Sequence, residues 1–223
     1  MRTDNKVIAS PYLPCDERYE GIRKRIFTLL FMGYTRVRKE NKDFTQAIED
    51  DITDHIVKEI EAYKRDQNSP EWVDDYTAEQ QRPHSPNGEV GDKRKWLDIF
   101  FKGDRKESNA EFCFEAKRLY PHQSPERYFL QQGMQRFLSS EYPVNSQGEA
   151  VMLGYVQSHD IQHWLQWLQN NFDGFQTKLR VAMDSGWEEF PIIPELDHSY
   201  RTQHTPFPDT HMVLFHLLLS FLK

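Results

Sequence analysis

The sequence predicts an α/β protein, a central mixed β-sheet flanked by helices, and three observations carry that reading. Apolar residues recur at helical intervals through the first third of the chain. Two short apolar runs with strand character, residues 96–101 (WLDIFF) and 111–116 (EFCFEA), are joined by a polar, turn-forming segment at 102–109. A third run, 150–156 (AVMLGYV), is apolar throughout, as a central strand covered on both faces must be.

Pro11 and Pro14 keep the first residues irregular. Beyond them Ile22, Ile26, Leu29, Leu30 and Val37 predict an amphipathic helix over about 16–39. Gly33 is its weak point, since glycine inside a helix costs about 1 kcal/mol relative to alanine. A second helix is predicted over about 44–64, where Ile48, Ile52, Ile56 and Ile60 form a stripe behind Asp43 as N-cap. The polar stretch 68–91 carries Pro70, Pro83 and Pro86, and within it residues 72–78 supply the first strand. Residues 79–92 form a connection into the hairpin.

After the hairpin, Ser124 as cap and Pro125 at the first helical position start a helix to about Leu138. Gly154, inside the third apolar run, suggests close backbone approach. A helix over about 160–181 follows, and its Trp164, Leu165, Trp167, Leu168, Phe172, Phe175 and Leu179 read as core rather than as a base-stacking platform. Residues 200–205 and 212–221 pair as a terminal hairpin; the second run, too short and too uniformly apolar for periodicity to decide, is read as strand over helix. The 223 residues suffice for one domain, with a core at about 43–156 and additions at both ends.

The chemistry-bearing residues concentrate in the hairpin. Asp98 interrupts the first strand, while Glu115 and Lys117, two residues apart on the second, project from one face of the pleat. Carboxylates on adjacent strands can hold a hard divalent cation, and a lysine beside them can polarise a bound water or stabilise phosphoryl charge. At these residues, Leu97-Asp98 followed by Glu115-Ala116-Lys117, the sequence resembles the PD-(D/E)xK nuclease superfamily, with leucine in place of the proline of that name. The resemblance implies a restriction-endonuclease-like core and Mg²⁺- or Mn²⁺-dependent hydrolysis of nucleic acid, DNA above RNA. It implies that Asp98 and Glu115 ligate the ion with the backbone carbonyl of Ala116, and that Lys117 activates the attacking water or steadies the transition state. The family often places an acid on the helix before its first core strand; of Glu49, Asp50, Asp51 and Asp54, Glu49 flanks the buried stripe and is the choice. On the helix after the Glu-x-Lys strand, related nucleases contact the bound water or a phosphate, and here Gln132 and Arg136 lie four apart on one face.

The net charge of −7 is the wrong sign for a protein that wraps nucleic acid by bulk electrostatics. It points to a local groove, or to a partner protein that delivers substrate. Basic runs at 23–25, 36–39, 93–95 and 102–106 are the local candidates, and solvated surface is the default for each. A nuclease of this size without a DNA-reading motif resembles the effector subunits of bacterial restriction or anti-phage systems. The alternative is a catalytically silent binding or assembly module on the same fold, and the bland reading is a chance salt-bridge pattern on a surface hairpin. Cys113, inside an apolar strand, reads as a buried thiol. His159 and His163 (HDIQH) lack the zincin glutamate and a third ligand, and the tail histidines His198, His204, His211 and His216 default to ordinary hydrogen bonding. The opening MRTDNKVIAS has no apolar leader core and no run reaches membrane-spanning length, so a soluble, cytoplasmic protein is expected.

Overall fold

A computed structural model describes residues 17–40, 42–84, 95–103, 111–130, 132–208 and 210–222. The turn expected at 102–109, residues 85–92 of the connection expected at 79–92, and the basic runs at 93–95 and 102–106 fall largely outside the described residues.

The chain forms an α/β fold around a seven-stranded mixed sheet. Helices α1 (Glu17–Lys39) and α2 (Glu49–Lys64) precede strands β1 (Tyr76–His84), β2 (Lys95–Gly103) and β3 (Glu111–Leu119). Two short helices, α3 (Pro125–Phe129) and α4 (Met134–Leu138), lead to β4 (Glu149–Val156), and α5 (Ile161–Phe172) leads to β5 (Glu188–Glu189), β6 (Ser199–His204) and β7 (Met212–Ser220). The sheet order is β1-β2-β3-β4-β7-β6-β5, with β4 parallel to both β3 and β7 and the other pairs antiparallel. The expected terminal hairpin therefore forms, but β7 is a central strand, so the buried core runs past Val156.

Period-two alternation divides the strands between two apolar layers. Phe112, Phe114, Ala116, Val151, Leu153, Tyr155, Phe215 and Leu217 face α1 and α2, while Cys113, Leu119, Met152, Leu214 and Leu218 face α3, α4 and α5. Every residue of β4 is buried, as its uniformly apolar sequence requires.

Helix α1 runs unbroken through Gly33 because glycine is where α2 crosses it. A Cβ there would lie 2.5 Å from Ile60 Cγ1 and 2.7 Å from the Ile56 carbonyl oxygen. At Gly154 the crowding is by side chains, Leu218 and Leu119, rather than by backbone.

Five boundaries differ from expectation. Strand β1 runs on to His84 through residues 79–84, expected in the connection, because it stays paired with β2 as far as Lys95. Helix α2 starts at Glu49, because the Asp43 carboxylate accepts from the Thr45 N–H and hydroxyl in a local turn instead of capping a helix. Residues Glu71–Asp75 form a 3₁₀ turn after Pro70, which delays β1 to Tyr76; paired aspartates suit a turn better than a strand. The helix expected over 124–138 breaks between Leu130 and Gly133, so Gln132 and Arg136 do not share a helix face. Helix α5, capped by the Asp160 side chain on the His163 N–H, stops at Phe172 before Asp173-Gly174.

Among the histidines, His159 and His163 stack on each other at 4.2 Å. His204 and His216 are fully buried in a hydrogen-bonded chain. His204 Nδ1 lies 2.8 Å from the Leu179 carbonyl, so that nitrogen carries the hydrogen. The remaining roles follow: Thr202 donates to His204 Nε2, His216 Nε2 donates to Thr202, and the Tyr128 hydroxyl donates to His216 Nδ1. Burial pulls His204 down to about 4 from 6.5 and holds His216 well below its ordinary value.

Gly33→Ala gains about 1 kcal/mol of helix propensity but meets a backbone oxygen that cannot retreat, so a net loss of about 1 to 2 kcal/mol is expected in urea unfolding. For the histidines, a depressed folded pKa means that the unfolded chain binds more protons below pH 6.5, so stability is full above that pH and falls towards pH 4. The His204 contribution is about 3 kcal/mol over that window. Buried carboxylates with raised values act in the opposite sense, so the measurement is a difference: urea midpoints of His204→Gln should fall less steeply than the parent's between pH 6.5 and 4.

Candidate active site

The β2–β3 ladder runs from Lys102↔Glu111 to Ile99↔Phe114, and Asp98 is the first residue beyond it. Strand β2 stays paired with β1 on its other edge as far as Lys95. Opposite Asp98 on β1, Gln81 adopts a positive φ of 50°, and the alternation of β2 reverses there: Leu97 and Phe100 face one layer, Ile99 and Phe101 the other. The in–out alternation is thus broken at Asp98, while the β1–β2 register runs through it one for one.

On β3 this leaves the main-chain groups of Ala116 and Arg118 facing an edge without a strand. Side chains fill the place of the missing backbone. Asp98 Oδ2 accepts from the Ala116 N–H at 2.6 Å, and Glu49 Oε2, from the first turn of α2, accepts from the Arg118 N–H at 3.0 Å. The Ala116 carbonyl accepts from Lys117 Nζ at 2.5 Å. The same ammonium lies 2.7 Å from Glu115 Oε1 and 3.0 Å from Glu49 Oε1. All four residues singled out in the sequence, Glu49, Asp98, Glu115 and Lys117, thus meet at one place with the Ala116 carbonyl.

Glu115 and Lys117 are almost fully buried, at 1% and 3% exposure. Burial raises Glu115 above the usual carboxylate range. Burial, reinforced by the nearby Glu115, raises Asp98 well above it. For Lys117 burial pulls down, but the carboxylates of Glu115, Glu49 and Asp98 together outweigh it and its pKa is raised. Lys117 therefore keeps its proton and is an ammonium, not a base, in this arrangement.

The expectation for Gln132 and Arg136 divides. Gln132 is exposed, whereas Arg136 turns inward, with Nη1 3.2 Å from Glu115 Oε1 and 2.5 Å from the Tyr142 hydroxyl. Tyr142 in turn donates to the Trp96 carbonyl at 2.7 Å, tying α4 to β2 beside Asp98. The break at Gly133 makes this possible: a Cβ there would overlap the Tyr128 carbonyl oxygen at 1.8 Å.

Sequence reasoning missed Gln157, Arg118, Arg127 and Tyr142. Gln157 donates to the carbonyls of Phe44 and Ala47 at 2.5 and 2.8 Å, holding the segment that presents Glu49, and accepts from Arg118 Nε at 2.6 Å. Its signal was a polar residue directly after the buried run of β4. Arg127 Nη2 lies 3.8 Å from Glu49 Oε2. Three carboxylates thus sit among one ammonium and the guanidiniums of Arg127 and Arg136, while that of Arg118 is turned onto Gln157.

Among the described residues no group of three His, Cys, Asp or Glu side chains is arranged to hold a metal ion as it stands, the oxygens of Glu49 and Glu115 being drawn onto Lys117. Also among them, no helix is long and apolar enough to cross a membrane. Comparison with known protein families, with curated proteins and with solved structures finds no match.

Removing Lys117 should expose the cost of the carboxylates it neutralises. Lys117→Met is expected to lose about 3 to 5 kcal/mol at pH 7. Adding Glu115→Gln should recover a large part of it, which a double-mutant cycle in urea measures; independent, additive losses would show that the two groups do not act as a pair.

Proposed function

We propose that this protein is a metal-dependent nuclease that hydrolyses phosphodiester bonds, with DNA as the favoured substrate. The observation that supports this most is convergence: oxygens of Glu49, Glu115 and the Ala116 carbonyl meet on one cationic nitrogen, with Asp98 bonded to the same Ala116. The donor set fits a hard divalent cation, since every candidate ligand is an oxygen. Glu115 Oε2, moreover, is buried without a hydrogen-bond partner.

Asp98, Glu115 and the Ala116 carbonyl would hold Mg²⁺ or Mn²⁺, with Glu49 completing the set. The bound ion would supply Lewis-acid polarisation of a phosphoryl oxygen and lower the pKa of a water. The remaining work falls to the chain. Lys117 would stand beside the ion, where its nitrogen can activate the attacking water or place positive charge against the negative charge that develops on the phosphoryl oxygens. Arg136, braced by Tyr142, orients Glu115. Burial keeps bulk water from weakening these interactions.

A second reading, a catalytically silent binding or assembly module, draws on the same hydrogen bonds. Asp98, Glu49 and Lys117 satisfy main-chain groups of β3, a role that needs no chemistry.

Purified protein with Mn²⁺ or Mg²⁺ is expected to cut at least one of plasmid, single-stranded DNA and RNA. Asp98→Asn retains an oxygen for the Ala116 N–H, so it should keep the parent's melting temperature while losing roughly two orders of magnitude or more in rate. Mn²⁺ should raise the melting temperature of the parent and not of the variant. Equal cutting by the variant, or no cutting and no metal-dependent shift in the parent, would leave the module as the surviving reading.

A further inference from the structure

Beyond the acidic cluster, the end of β3 gathers two cations around a tyrosine. The Arg118 guanidinium lies over the Tyr120 ring, 4.7 Å from its centroid, and is fixed by its Nε bond to Gln157. Arg127, from α3, approaches the same ring at its hydroxyl, with Nη1 3.4 Å away. Glu49 joins this pair to the cluster: one carboxylate oxygen contacts Lys117, and the other contacts the Arg118 N–H and lies near Arg127.

Neither arginine is spent. Arg118 commits its Nε and leaves both terminal nitrogens without a hydrogen-bond partner among the described residues. The two contacts of Arg127 are near the outer limits for a hydrogen bond and an ion pair, and its Nε is buried with no partner. On the same turn, Gln123 is 7% exposed, yet both its side-chain amide atoms lack partners while its main-chain N–H closes on the Tyr120 carbonyl. A buried donor left empty costs about 1 to 3 kcal/mol. Arg136 is the contrast, held by Glu115 and Tyr142.

The acceptor that suits two neighbouring guanidinium forks is a tetrahedral oxyanion, which offers oxygens to both; one carboxylate is satisfied by a single fork. The Tyr120 ring carries Arg118 on its face and Arg127 at its hydroxyl, so it braces the two cations rather than stacking on a base. A contact of this kind reads backbone and not sequence. We propose that Arg118 and Arg127, spaced by Tyr120 beside Glu49, form an anion subsite that takes a backbone phosphate of the nucleic-acid strand adjoining the reacting one. The assignment of that anion to a nucleic-acid strand rests on the nuclease reading. It reconciles that reading with a chain of net charge −7, because at this place cations outnumber carboxylates.

The test is binding separated from cleavage. Fluorescein-labelled single-stranded dodecamers, one DNA and one RNA, are titrated by anisotropy in Ca²⁺ over a series of salt concentrations, with the parent, Arg118→Gln, Arg127→Gln and the control Lys58→Gln, which removes an equal charge from the exposed side of α2. Each arginine variant should bind at least one dodecamer about tenfold or more weakly, with a salt slope shallower by about one, and the control should match the parent. Arg118→Lys and Arg127→Lys, which keep the charge but not the fork, should retain the salt slope and lose part of the affinity; they carry the test if a glutamine variant melts early. Unchanged affinity and slope in folded variants overturns the subsite, as does a parent that binds neither dodecamer. A parent that binds through these arginines but cuts nothing keeps the subsite and removes the nuclease reading. A parent that cuts while both arginine variants bind normally removes the subsite alone.

Discussion

The parting of β2 from β3 after the Ile99–Phe114 pair is the constraint on which the rest of this molecule depends. A strand edge inside a covered sheet leaves N–H and C=O groups that must find partners, because an orphaned buried donor costs about as much as a lost hydrogen bond. Here the partners are charged side chains. Asp98 and Glu49 accept the two N–H groups that β2 abandons, and Lys117 takes the carbonyl between them. Burying carboxylates is costly in itself, and the cations of Lys117, Arg127 and Arg136 offset it at close range. One backbone irregularity thus gathers acids, ammonium and guanidiniums at a single point.

The frame around that point is rigid for an ordinary reason. Strand β4, buried along its whole length, holds β3 in register from Phe114 to Leu119 and β7 on its other side. Residues 115 and 117 cannot slip without turning the whole strand inside out. Glu49 is less directly fixed: it sits at the free start of α2, and its position is transmitted through Gln157, which grips the carbonyls of Phe44 and Ala47 from the end of β4. A second buried ion pair, Arg23 with Glu149 at 2.6 Å, ties α1 to the start of the same strand.

Much of this was legible in the sequence because it rests on local pattern. The hairpin, the apolar run of β4, α1 and the first half of α5 are written in periodicities of 2 and 3.6, and the pairing of Asp98 with Glu115 and Lys117 follows from placing two strands side by side. What was not legible depends on long-range competition. Asp43 had a turn partner at Thr45, which moved the start of α2 to Glu49 itself. Gly133 reads as a mild helix weakness, yet the close Tyr128 carbonyl makes it a break, and only that break turns Arg136 onto Glu115. The reversal at Asp98 is marked in the sequence only by an aspartate within an apolar run, and Gln81 opposite it carries no mark. Arg118 and Arg127 looked like two basic residues among 28 until Tyr120 and Glu49 placed them together.

The edge-closing role and the proposed catalytic role use the same atoms, and the two would be successive rather than exclusive. An ammonium of charge one now draws together oxygens that a divalent cation would hold more strongly, since the attraction scales with charge at similar distance. For such an ion to enter, Lys117 would have to withdraw from the Ala116 carbonyl and Glu115, which its flexible four-carbon stem allows without disturbing a strand. Asp98 need not let go of the Ala116 N–H, because a carboxylate has a second oxygen to offer. On the proposed metal-dependent reading, the arrangement would be a closed form with Lys117 as its built-in cation. Whether it ever opens is set by the difference between two binding free energies, that of Lys117 and that of the ion, and not by the fold.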